Sequence, residues 1–245
     1  IDFKAEGKFP EVQATKLLHQ IADNRNHDEI FAVIQELTDL IRSKHHSVYV
    51  HHDSWNKVLN QQGTQLFFYS MLQPEFFNKF GSITFVGANF KDSQLNLLWQ
   101  DSVEFKPHEI ELSIPNKLPY HEHVDPIQLK YMYTENYSKA KRDKVIRGSS
   151  YGQRFEQATQ KTFENDNFIW VANRDIKDMF KNSNAERIPN VSHGLNAYQN
   201  THNIAFCSAL NPRPPHKAFM KHMGMTDQQI KDSFSNQIVY QAIMR

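Results

Sequence analysis

Apolar positions recur along the chain in two rhythms. Between Glu11 and Ile41 the residues Val12, Leu17, Leu18, Ile21, Ile30, Val33, Ile34, Leu37, Leu40 and Ile41 fall mostly three and four apart. That is helical spacing, and the polar stretch ADNRNHDE (22–29) divides it into two predicted helices. SVYV (47–50), QLFFYS (65–70) and SITFVG (82–87) are short β-rich runs, with the helix-like SWNKVLNQ between the first two. SVEFKPHEIELSIPNKLPY (102–120), broken by three prolines, reads as a connection. A second alternating set follows: strands IQLKYMY (127–133), NFIWVAN (167–173) and NIAFCSAL (203–210), with helix RFEQATQKTF (154–163) among them. Thr226 is then placed to cap a helix running from Asp227 towards Arg245.

Strands alternating with helices predict an α/β protein with mainly parallel sheets. The division falls near the Pro-rich connection, giving a first domain over 1–112 and a second over 113–245. Neither an internal repeat nor a low-complexity segment interrupts this organisation.

Composition narrows the class. The 28 basic and 27 acidic residues leave a formal charge of +1, so nucleic-acid contact has to be local rather than a property of the whole surface. The single Cys207 excludes a disulfide framework within the chain and a zinc site built on several thiolates, which points to a reducing, cytoplasmic setting. No apolar run approaches the roughly 20 residues of a membrane helix. The chain begins IDFKAEGKFP without an initiating Met and stops at YQAIMR within an amphipathic pattern, so both ends read as cut from a longer protein.

His51, His52 and Asp53 in SVYVHHDSWNKV, with His121, Glu122 and His123 in YHEHVD, offer imidazole and carboxylate ligands for a metal-dependent hydrolase. Thirteen histidines make chance clusters common, and neither group has the spacing of a known zinc motif, so no metal site is assigned. Asp53 or Ser54 as the cap of the following helix accounts for the first cluster. A phosphate loop of the form GxxxxGK followed by Ser or Thr is absent, as is a GxSxG nucleophile elbow, and GSSYGQ from Gly148 follows no predicted strand.

Three segments, in order, carry more. In SITFVGANFKDS a run ends at Gly87, Ala88 and Asn89 before Asp92 and Ser93 open a helix. In NVSHGLNAYQNTHNIAFCSALNP a small, polar loop precedes a strand whose far end, Ser208 to Pro212, is again small and polar. In SFSNQIVYQAIMR one helix face delivers Gln241 and Arg245, four residues apart.

This order resembles the motor core of superfamily 2 helicases and their DEAD/DEAH-like relatives, particularly divergent versions from phages and mobile elements. TFVGANF is similar to the family's motif III, NFIWVANRD (167–175) occupies the place of motif IV, Ser192, Gly194 and Asn196 in SHGLN match motif V, and QAIMR resembles the first half of motif VI. Met244 stands where that motif usually has Gly, and the Walker A lysine and Walker B Asp-Glu pair are missing from these residues.

The resemblance implies two RecA-like, mainly parallel sheets with flanking helices, the first domain incomplete. It implies part of an ATP-dependent helicase that couples hydrolysis in an interdomain cleft to movement on DNA or RNA, with ATP and Mg2+ held mainly elsewhere. Arg245 would act as an arginine finger and Gln241 would sense the nucleotide. Gly194 and Asn196 would contact nucleotide; Ser192, Ser208, Asn211 and Arg213 would contact nucleic acid; Gly87, Ala88 and Asn89 would couple the two. The alternatives are a non-catalytic nucleic-acid or protein-binding module of the same architecture, and the metal-dependent hydrolase.

Overall fold

The structure, a computed structural model, describes residues 2–87, 89–108, 128–134, 137–181, 184–190, 197–198 and 200–243. The chain divides into two compact units. The first comprises Ile1–Lys106 with Arg213–Asp227, and the second Pro107–Pro212 with Gln228–Arg245.

In the first unit, short strands β1 (Asp2–Phe3) and β2 (Val12–Gln13) pair antiparallel, and helices α1 (Lys16–Asp23) and α2 (Glu29–Arg42) follow. The polar link expected between the helices is where they break. Asn24 closes α1 in the left-handed region at φ 36°, and the Asp28 carboxylate accepts from the amides of Ile30 and Phe31 at 2.8 and 3.1 Å to start α2. Strand β3 (His46–Val50) leads into α3 (His52–Leu59), and β4 (Phe68–Leu72) returns antiparallel to β3, Val50 opposite Phe68 and His46 opposite Leu72. Val12, Leu18, Ile21, Ile41, Val48 and Val50 form the core beneath this ribbon. The helix Pro214–His222 belongs to the same unit and stacks Phe219 on Tyr69, with centroids 4.3 Å apart.

These observations correct the sequence expectation of two RecA-like parallel sheets. The sheets of the first unit are two-stranded and antiparallel. Apolar runs mark where strands form but carry no strand direction, and the segment 60–67 after α3 turns the chain back beside β3. The run 82–87 forms no strand: Ile83, Phe85 and Val86 are exposed, Val86 to 95%. Phe85 instead joins Phe77, Phe90, Trp99 and Phe105 in an aromatic group, and Trp99, buried at the end of α4 (Gln94–Trp99), donates its indole N–H to the Leu72 carbonyl at 3.1 Å. The described part of the expected strand 127–133 is likewise outside any ladder.

The second unit holds α5 (Lys139–Asp143), the hairpin β5 (Val145–Ile146) and β6 (Ser149–Ser150), α6 (Tyr151–Phe163), then β7 (Phe168–Ala172), β8 (Ala185–Arg187) and β9 (Ile204–Cys207). A capping box starts α6: the Ser150 hydroxyl accepts from the Gln153 amide and the Gln153 side chain accepts from the Ser150 amide. The largest sheet described has three parallel strands in the order β8-β7-β9. All five residues of β7 are buried because both of its faces are covered. Phe168, Trp170 and Ala172 face a core with Met179, Phe180, Ala205 and Cys207; Ile169 and Val171 face Ile188, Ile204 and Phe206. The last helical stretch runs as α8 (Asp227–Lys231), a π-type turn Asp232–Asn236 and α9 (Gln237–Ile243), counting Pro214–His222 as α7. Among the described residues no helix is long and apolar enough to cross a membrane.

Candidate functional site

Register fixes the candidate site. Because Ala172 pairs with Cys207, β7 and β9 end side by side, and the chain turns polar at once on both strands: Asn173, Arg174 and Asp175 after β7, Ser208 after β9. The carboxyl ends of parallel strands are where open α/β sheets bind ligands, since backbone and side chains diverge there without the ladder consuming them.

The Asn173 amide joins the two ends in both directions. Its Nδ2 donates to the Ala209 carbonyl at 3.1 Å and its Oδ1 accepts from the Ala209 amide at 2.8 Å. On the other edge, Arg187 at the end of β8 donates to the carbonyls of Ala172 and Asn173 at 3.4 and 3.1 Å while its guanidinium lies 5.2 Å from the Trp170 ring centre. The buried Ser208 hydroxyl donates to Asn190 Oδ1 at 2.6 Å. Asp175 accepts from Arg142 at 2.9 Å and lies 3.2 Å from Lys139, and Arg142 also donates to Asp143 through two nitrogens. The Arg142 hydrogen bond, with Lys139 adding to it, holds the Asp175 carboxyl down at about 2. Arg174, beside these paired groups, is exposed and makes no ion pair among the described residues.

Two buried groups border this edge. Cys207 is buried, which pushes its thiol up, away from reactivity at neutral pH. Burial lifts the Tyr137 phenol to about 12, and its hydroxyl has no hydrogen-bond partner, while its carbonyl accepts from Asn211 Nδ2 at 3.1 Å.

The residues singled out from sequence are distributed as follows. Ser208 and Asn211 lie at the strand edge, but both side chains are engaged internally, with Asn190 and Tyr137 respectively. Gln241 is half-buried on α9. Ser192, Gly194, Asn196, Ala88 and Arg245 lie outside the described residues, as do His121, Glu122 and His123. Arg213 is exposed at the N-cap of α7 in the other unit. Gly87 has open space around its Cα, and Asn89 sits at φ 54° before a short 3-10 turn, Phe90–Asp92. Sequence reasoning missed Asn173, Arg187 and Arg142. Asn173 had a signal, the abrupt polar NRD closing an apolar run; the other two are separated from it by 14 and 31 residues and had none.

In the stretch holding His51 and His52, the N-cap of α3 is His51 rather than Asp53 or Ser54. Asp53 falls in the first turn, where its charge favours the helix dipole, and the buried Ser54 hydroxyl donates to the His51 carbonyl at 2.7 Å. His51 packs on Phe9 with its Nδ1 buried and unpartnered. That burial lowers its pKa against the opposing pull of Asp53, whose carboxylate is 3.9 Å from Nε2. Among the described residues no group of three or more His, Cys, Asp or Glu side chains is placed to hold a metal ion. An open, mixed-charge cleft of about 670 Å3 beside α1, lined by Lys16, His19, Asp23, Arg25 and Asp28 among others, includes none of the expected site residues.

No family model, curated protein or solved structure matches this chain. Fold and site therefore define its class: a mixed α/β protein whose second unit presents a polar edge of parallel strands.

Proposed function

We propose that this chain is part of a nucleic-acid-dependent ATPase of the helicase kind, coupling ATP hydrolysis to movement on DNA or RNA in the cytoplasm. The observation that carries this reading is the tied pair of parallel strand ends, Asn173–Asp175 and Ser208–Ala209. Such an edge suits a part that must transmit a nucleotide-driven shift, because a displacement at one strand end reaches the other through the Asn173 amide. It also joins two stretches from the helicase-like half of the chain: NFIWVANRD, in the place of motif IV, and the strand that follows SHGLN, the match to motif V.

In this reading the chain supplies the side of the motor that senses nucleotide and grips nucleic acid. Gln241 would sense the nucleotide and Arg245 would act on the γ-phosphate, because a planar guanidinium can pair two phosphate oxygens at once. The 245 residues contain no phosphate-binding loop, and the described residues offer no carboxylate group fit for Mg2+, so neither the phosphate cradle nor the metal is assigned to them.

The test is ATP turnover by the full gene product, with and without single-stranded DNA or RNA. Turnover should rise with nucleic acid, and Arg245→Ala should lower it about a thousandfold, the scale of losing an arginine finger. Turnover indifferent to nucleic acid, or a fully active Arg245→Ala variant, overturns the reading. Nucleic-acid binding with no hydrolysis identifies a non-catalytic binding module instead.

A further inference from the structure

Basic charge is concentrated in one stretch of the second unit. Seven of the 28 basic residues and only two of the 27 acidic ones lie between Lys130 and Arg154, a local excess of five in a chain whose total excess is one. Several of these cations have structural work: Arg142 is held by Asp143 and Asp175, Lys139 lies beside Asp175, and Arg154 donates to the Ile146 carbonyl, anchoring the β5–β6 hairpin.

Lys144 and Arg147 do not. Both are exposed, and among the described residues neither makes an ion pair or a side-chain hydrogen bond. The hairpin displays them. Val145 pairs with Ser150 and Ile146 with Ser149, and the turn between runs through Arg147 at φ 52° and Gly148 at φ 78°, the left-handed pair of a tight hairpin turn. Three residue steps of near-extended chain, through Val145 and Ile146, separate Lys144 from Arg147 by about 10 Å, enough for each to meet its own phosphate. Behind them Lys141 lies 5.3 and 5.9 Å from the ring centres of Tyr133 and Tyr151, and those rings pack edge to face at 4.7 Å. This places a third positive charge on the same stretch of chain, held over aromatic rings.

We propose that the β5–β6 hairpin and α5 form a docking surface for the phosphate backbone of a single nucleic-acid strand, with Lys144 and Arg147 as its phosphate contacts. The partner is a polyanion of regularly spaced charges, because the two cations are held apart by a fixed hairpin. The proposal rests on the functional reading above and names the surface that would grip the strand.

The test uses a fluorescein-labelled 20-mer of oligothymidylate, with binding measured by anisotropy between 50 and 200 mM salt and stimulation of ATP turnover measured on the full gene product. Each single-strand phosphate contact contributes about 0.7 to the slope of log affinity against log salt. Losing two therefore weakens binding about 25-fold at 0.1 M salt and flattens the slope by about 1.4. Lys144→Glu with Arg147→Glu should show both changes with an unaltered urea midpoint, and Lys144→Arg with Arg147→Lys should bind as the unmodified protein does. A double reversal with unchanged affinity, slope and half-stimulating oligonucleotide concentration overturns this surface while the ATPase reading stands. Turnover indifferent to nucleic acid in the unmodified protein overturns that reading and this proposal with it.

Discussion

Asn173→Ala is the most direct probe of the strand edge. Asn173 ties the carboxyl ends of β7 and β9 beyond their ladder through two hydrogen bonds of 3.1 and 2.8 Å to the backbone of one residue, Ala209. Truncation leaves the Ala209 N–H and C=O without partners in a partly buried position. At about 0.5–1.5 kcal/mol for each lost bond the cost is about 2 kcal/mol, more where water cannot reach the freed groups. At about 1.4 kcal/mol per tenfold, that loss speeds hydrogen exchange of the Ala209 amide about 30-fold. Amides within the β7–β8 ladder should change less, because Ile169 and Trp170 keep their own partners. In urea, with a slope of about 2 kcal/mol per molar, the midpoint of the second unit should fall by about 1 M. Exchange at Ala209 within threefold of the unmodified protein would refute the reasoning, since the amide would then owe its protection to something other than Asn173.

Val171→Ala, at a position with no exposure in the central strand, should cost about 2–3 kcal/mol in urea unfolding. Asp175 provides a pH test. Its folded pKa of about 2 lies below the ordinary aspartate value of about 4, so the stability it contributes is present above pH 4 and is lost as pH falls through 2. Asp175→Asn should flatten the acid-unfolding profile in that window, by less than an enclosed pair would because the carboxylate is partly solvated. Cys207 should resist thiol reagents at pH 8 in the native protein and react fully in urea; stoichiometric labelling under native conditions would contradict its burial. Gly148→Ala places a Cβ at φ 78°, costs the hairpin turn about 1 kcal/mol and should hasten trypsin cleavage after Arg147 about fivefold.

Sequence and structure agree where the signal is local. The helices α1 and α2, their break at 24–28, and the strands centred on Val48, Trp170 and Phe206 fall on the runs their spacing marks, overrunning them by two residues at most. The disagreement at 82–87 shows why period alone is insufficient. SITFVG has a strand's composition, yet its aromatic Phe85 finds partners in Phe90 and Trp99 and leaves its backbone unpaired. At the candidate site, the polar closure of each strand could be read directly, as NRD after FIWVA and as SALNP after IAFC. That one amide would clamp residues 36 apart, or that Ser208 would be spent on Asn190, depends on register and could not be read.

The sequence alone therefore determined the helices α1 and α2 with the break between them, the strands centred on Val48, Trp170 and Phe206, and where basic charge gathers. It could do so because each depends on residues within a few positions of one another. Tertiary structure decided strand direction, sheet size, and which cations remain unpaired. Those depend on contacts between distant segments: β3 and β4 run antiparallel because of how the chain returns after α3, and Lys144 and Arg147 are available because the nearby carboxylates of Asp143 and Asp175 are taken up by Arg142 and Lys139.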